Sequence, residues 1–272
     1  MMRYLLFVIF IAGFFIRSAG IDNFRAGGRS LALSDASVSF SDLWSTFNNQ
    51  AGTSGPEYIT AGVFYKSGFF LKELSTIAGA FILPVKSGNF SLSFIQFGRN
   101  SYKEEKIGLA FAKKLGNQFR AGIQFDYFML YLPENERVKG FATFEGGIIY
   151  APEDHLAIGM HLFNPVGAGI QYLTGKESVP ATFRLGGHYR FNESLMVCLE
   201  GEKRPVQPVS LRTGIEYVFL DALSVRFGMS GNPFRYTAGI GYRTGKLLVD
   251  IGFSYHNSLG MTPSVSLQYS FR

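Results

Sequence analysis

From about Glu57 to its end, the chain alternates apolar and polar residues with period 2. That rhythm suits an extended strand with one greasy and one polar face, and no helix satisfies it. In "NQFRAGIQFDYFMLY", Phe119, Ala121, Ile123, Phe125, Tyr127, Met129 and Tyr131 share one face, opposed to Arg120, Gly122, Gln124 and Asp126. "VSLRTGIEYVF" sets Leu211, Thr213, Ile215, Tyr217 and Phe219 against Ser210, Arg212, Gly214 and Glu216. "LLVDIGFSYH" repeats the arrangement, with Leu247, Val249, Ile251, Phe253 and Tyr255 facing away from Asp250, Gly252, Ser254 and His256.

A β-sandwich and a membrane barrel both fit such faces; length and count separate them. About fourteen segments read this way: 57–65, 74–83, 88–97, 102–114, 117–131, 140–151, 155–163, 181–190, 194–201, 209–219, 222–230, 234–243, 246–256 and 263–271. Strands of roughly nine to eleven residues cross a membrane when tilted, whereas sandwich strands average about five or six. An even number is what a bacterial outer-membrane barrel requires, and the connectors alternate short and long as periplasmic turns and external loops do. The expected fold is therefore an all-β transmembrane antiparallel barrel over 57–272. The longest connector, Asn164–Pro180, is the one loop large enough to fold over the external mouth. The final "PSVSLQYSFR" ends on an aromatic near the C-terminus, as a membrane-interface girdle would.

The N-terminus agrees with export. "MMRYLLFVIFIAGFFIRSAG" has a basic start, an apolar run too short to span a bilayer, and small residues at its end, so 1–20 reads as a signal peptide. Its removal takes away Arg3 and Arg17 and lowers the formal charge from +6 to +4 (6 − 2). So mild an excess, without a basic run, argues against nucleic acid. The single cysteine, Cys198, allows no internal disulfide. The partners expected are outer-membrane lipid, envelope or secretion-complex proteins, and a hydrophobic small molecule.

Between export signal and strands lies "GGRSLALSDASVSFSDLWSTFNNQAG", which carries the only tryptophan, Trp44, and does not alternate. This block resembles the N-terminal segment of the FadL-like outer-membrane family, including its type IX secretion branch of PorV- and PorQ-like proteins. Gly27, Gly28 and Arg29 match the Gly/Ala/Arg-rich opening, Asp42 the acidic position, and Trp44 and Phe47 the aromatics. Asn49, Ala51 and Gly52 match the closing Asn-Pro-Ala-Gly, with Gln50 where Pro is usual, which frees φ and restores an N–H. The resemblance implies a hatch over 21–56, folded into a fourteen-stranded barrel. It implies two roles: an accessory or scaffold barrel of a type IX secretion or related envelope complex, which compact external loops favour, or a channel for hydrophobic small molecules. A short amphipathic helix at the periplasmic rim, capped by Ser41, is the plainer alternative for the same block.

Alternation directs Arg120, Asp126, Glu145, Arg184, His188, Arg190, Glu200, Arg212, Glu216, Arg226, Arg235, Arg243 and Asp250 into the lumen, because charge on the lipid face costs about 2–4 kcal/mol for Arg or Lys near the midplane. Mixed signs point to ion-paired rows that fill the barrel and anchor the hatch rather than to a selective ion path. No cofactor or metal is expected, and no enzyme: no Gly-x-Ser-x-Gly or metal-ligand spacing occurs, and no serine stands beside His155, His161, His188 or His256 by spacing.

Overall fold

The computed structural model describes residues 23–99, 102–131, 138–172, 175–220 and 222–271; the signal-peptide reading of 1–20 lies outside them. In chain order the strands are β1 (Ile59–Ser67), β2 (Ser75–Val85), β3 (Gly88–Arg99), β4 (Tyr102–Leu115), β5 (Phe119–Tyr131), β6 (Val138–Glu153), β7 (Leu156–Phe163) and the short pair β8 (Gly169–Tyr172) and β9 (Gly175–Ser178). Then follow β10 (Thr182–Arg190), β11 (Leu195–Lys203), β12 (Ser210–Phe219), β13 (Leu223–Ser230), β14 (Arg235–Thr244), β15 (Leu247–His256) and β16 (Gly260–Phe271).

Fourteen of these close into one antiparallel barrel, with β7 pairing directly to β10 and β1 sealing against β16 from Ile59–Phe271 to Lys66–Ser264. Closure leaves no strand edge, which a sheet in hydrocarbon cannot tolerate. β8 and β9 form a separate hairpin inside the long loop. Ile59 and Phe271 share one rim with the short turns at 86–87, 116–118, 154–155 and 245–246, which makes it the periplasmic rim; 68–74, 164–172 and 175–181 lie at the external one.

The two faces of the wall differ as the alternation requires. Ile123, Phe125, Leu199, Leu211 and Phe227 each expose 59% or more of their surface, which only lipid can cover. Ring pairs such as Phe119–Tyr150, Tyr217–Phe219 and Tyr269–Phe271 sit near the periplasmic ends of their strands, where an aromatic girdle belongs. The chain is thus built as an integral outer-membrane barrel, and its interior is occupied.

Candidate functional site

The occupant is the segment from Asn23 to Ser54, nearly all of it buried inside the barrel. It holds two single-turn helices, Gly28–Ala32 and Ser45–Asn48, and a 3-10 turn, Gln50–Ser54. None is long enough to be stable alone, so packing against the wall holds them. Asp42, not Ser41, serves the second helix: its Oδ1 accepts the Ser45 N–H at 3.1 Å. Ser41 instead accepts a bond from Arg120 Nη1 at 2.5 Å. The block is therefore a plug in the lumen and not a helix on the rim.

Glycines make room for it. A Cβ on Gly122 would lie 2.4 Å from the Gln50 carbonyl carbon, on Gly147 2.3 Å from Asn49 Oδ1, and on Gly159 2.2 Å from Val38 O. Gly214, Gly228 and Gly239 abut Leu33 and Ala32 in the same way. Within the plug, Gly27 has φ +110, with Trp44 Cγ 2.7 Å from where a side chain would start, and a side chain on Gly52 would start 2.1 Å from Phe40 O. Backbone meets backbone only where side chains are absent. Gln50 opens the 3-10 turn, the position where Pro is accepted because that N–H needs no helical partner. Its side chain bonds back to Thr46 O at 3.3 Å, while Asn49 Nδ2 donates to Val38 O at 2.6 Å and Ala51 is fully buried against Ile149 and Ala157.

Charge anchors one side of the plug. Arg29 forks onto Glu216 (2.8 and 2.7 Å), lies 3.5 Å from Asp42, and stacks over Phe40. Arg226 ties Glu216 to Asp250 at 2.5 and 2.6 Å. Glu200 Oε2 accepts the N–H groups of Ser37 and Val38, both at 2.9 Å. Arg184 donates to both Glu200 oxygens and to the Asn48 and Asp35 carbonyls, and Arg212 joins Glu200 to Glu202. Burial pushes the Asp35 carboxyl up, but Arg25, Arg235, Lys66 and Arg184 outweigh it and hold the group below the usual range. At Asp42 burial wins over Arg29 and Ser45, and the carboxyl sits above its usual range.

A second buried cluster lies in the wall itself. Lys106 Nζ donates to Glu145 at 2.8 Å and lies 3.6 Å from Asp126, Gln124 bridges the two carboxylates, and His161 Nε2 lies 3.1 Å from Glu145. Arg190 and Arg243 are exposed at the periplasmic ends of β10 and β14, outside both networks, and Arg235 stands at the external end of β14. His188 does meet a serine: Ser39 Oγ is 2.9 Å from its Nδ1. With Ser39 only 2% exposed, that contact holds plug to wall.

Beside the charged networks the lumen also has an apolar sector. In the sector from β1 to β7 its external half is lined by Phe64, Ile95, Phe97, Phe128, Leu130, Phe141 and Phe163. Phe24, Trp44 and Phe47 of the plug pack into this wall, Phe24 within 6.3 Å of the Phe97 and Phe128 rings. Ile170 and Val179 of the long loop close it from above, pinned by Asn164, whose Nδ2 bonds Ala168 O and Val179 O. Beside it a cavity of about 240 Å³ opens between plug and wall. Its apolar side is Ala26, Leu31, Phe64, Phe69, Leu74 and Phe97; Arg25, Asp35, Lys66, Arg235 and His256 supply the polar side.

Neither a protein-family model nor a curated protein matches the sequence. Solved structures do match in shape. A toluene transporter of Ralstonia pickettii, TbuX, superposes with a TM-score of 0.70 at 12% identity, over 93% of this chain and 100% of its own. A Pseudomonas aeruginosa FadL homologue gives 0.68 at 15% identity, over 93% and 100%, and the P. putida toluene transporter TodX 0.68 at 13%, over 92% and 100%. The fold is FadL-like. At such identities the likeness speaks for the fold alone.

Sequence reasoning missed Lys106, the inward glycines as a set, and the aromatic lumen. Parity exposes the first: Lys106, Gly108, Ala110 and Ala112 oppose Ile107, Leu109 and Phe111, but the run "KEEK" hides the rhythm at its start.

Proposed function

We propose that this barrel passes hydrophobic small molecules across the outer membrane, with the N-terminal segment as its seal. One observation carries the reading: the external half of the lumen wall from β1 to β7 is apolar and adjoins a cavity lined on one side by aromatic and aliphatic side chains. A water-filled pore has polar walls, whereas a cavity with an aromatic and aliphatic side suits a hydrophobic ligand. Two of the similar structures are described as toluene transporters, which supports the same reading. The accessory-barrel reading, in a secretion complex, draws support only from the short external loops and gives the cavity no role. No step in this role is catalytic.

Trp44 provides the test, because it packs on Phe64, a wall residue of the cavity. A hydrophobic fluorophore such as N-phenylnaphthylamine is expected to bind saturably and draw energy from Trp44. Phe97→Gln is expected to weaken it by about tenfold, near 1.4 kcal/mol. Non-saturable partitioning, unaltered by Phe97→Gln, would refute the site.

A further inference from the structure

The loop between β1 and β2 contains two consecutive phenylalanines in the left-handed region, Phe69 at φ 52 and Phe70 at φ 60. Bulky side chains rarely adopt that conformation, and a pair in succession persists only when its surroundings impose it. The restraints are visible. Phe69 N–H donates to Thr262 Oγ1 of β16 at 3.1 Å, and its ring stands edge-on to His256 at 6.5 Å. Gly68 is pressed against Leu74, whose Cβ and carbonyl both lie 2.9 Å from where a side chain would start. Phe69, His256, Thr262, Gly68 and Leu74 all line the cavity, at its external end. The next two residues point the other way: Phe70 and Leu71 are 62% and 51% exposed at the same rim.

A strained turn thus places one aromatic ring at the external end of the cavity and leaves its neighbour exposed at the same rim. We infer that Phe69 is the door of the cavity, and that ligands come in beneath the β1–β2 loop from the outer-leaflet interface, where Phe70 and Leu71 meet them. This rests on the reading of the cavity as a ligand site. Swinging the Phe69 ring aside gives up its edge contact with His256 and its burial in the cavity mouth, while the turn and its hydrogen bond to Thr262 stay in place, so opening needs no new fold.

Stopped-flow energy transfer from Trp44 to N-phenylnaphthylamine, with the protein in lipid nanodiscs, reads the door directly. Cross-linking the pair Phe69→Cys and Thr262→Cys is expected to slow probe association at least tenfold, with recovery on reduction; Cys198 is buried and stays out of the reaction. Phe69→Ala is expected to speed association several-fold, with a smaller change at equilibrium. Association at the wild-type rate in both the cross-linked protein and Phe69→Ala overturns the door and leaves the cavity a ligand site reached by another way. Absence of saturable probe binding to the wild type overturns the cavity reading itself, and the door with it.

Discussion

Removing the carboxylate of Glu200 will release the plug. In Glu200→Ala, Arg184, which is fully buried, and Arg212 lose their shared counter-charge, and the N–H groups of Ser37 and Val38 lose their acceptor. Stripping one partner from a buried pair costs about 3–5 kcal/mol, because the surviving charge stays desolvated. The orphaned backbone donors add to this, although the losses share one network and do not sum. Glu200→Gln keeps an acceptor for the plug but not the charge, and its loss is expected to be smaller. Leu199→Ala changes the neighbouring lipid-facing position, 60% exposed, and is expected to leave the plug in place. Trp44, the single tryptophan and 1% exposed, reports the result: its emission moves to longer wavelength, and proteases gain access to the segment, while the barrel keeps its folded gel mobility.

Gly122→Leu is expected to displace the plug too, by a different route and at a somewhat smaller cost. Its Cβ would fall 2.4 Å from the Gln50 carbonyl carbon and 2.6 Å from the Ala51 nitrogen. Backbone on both sides cannot turn aside as a flexible side chain does. Overpacking costs about 1–3 kcal/mol where neighbours yield, and the upper end applies where they cannot. Even Gly122→Ala carries the offending atom. The same Trp44 and protease readouts apply, and the account requires this variant to displace the 3-10 turn at Gln50–Ser54 without unfolding the barrel. A plug left undisturbed would mean that the close contact at Gly122 does not seat it.

These variants also show which parts of the molecule could be read from the chain. The barrel was legible because lipid outside and a filled lumen inside impose period 2 on every strand, and Phe125 against Gln124 states it in one pair of residues. Strand ends were less so. β16 starts at Gly260 rather than 263 because Pro263, opposite Phe253, looks like a strand breaker. Pairing between β1 and β16 stops at Lys66–Ser264, so the missing N–H falls where β1 no longer pairs.

The lumen was harder. Phe128 and Leu130 occupy inward positions by parity, but hydrophobicity alone cannot say which of two apolar faces meets lipid. Inward glycines such as Gly122, Gly159 and Gly214 look like weak points of strands until the plug backbone is seen against them. Partner choice is the least legible feature: Arg29 reaches Glu216 across 187 residues, and Arg226 links carboxylates from β12 and β15. Such pairings depend on closure and on the path of the plug, which no local pattern encodes. In the closing motif, Gln50 in place of Pro proved compatible with a buried turn, since the first residue of that turn needs neither fixed φ nor a bonded N–H.

The most direct measurement is uptake by proteoliposomes containing the purified barrel, comparing N-phenylnaphthylamine with a sugar of similar size. The account predicts protein-dependent passage of the hydrophobic probe with exclusion of the sugar, and sugar leakage once Glu200→Ala frees the plug. Equal exclusion of both solutes by the wild-type barrel, together with stable capture of another envelope protein, would contradict it and favour the accessory role.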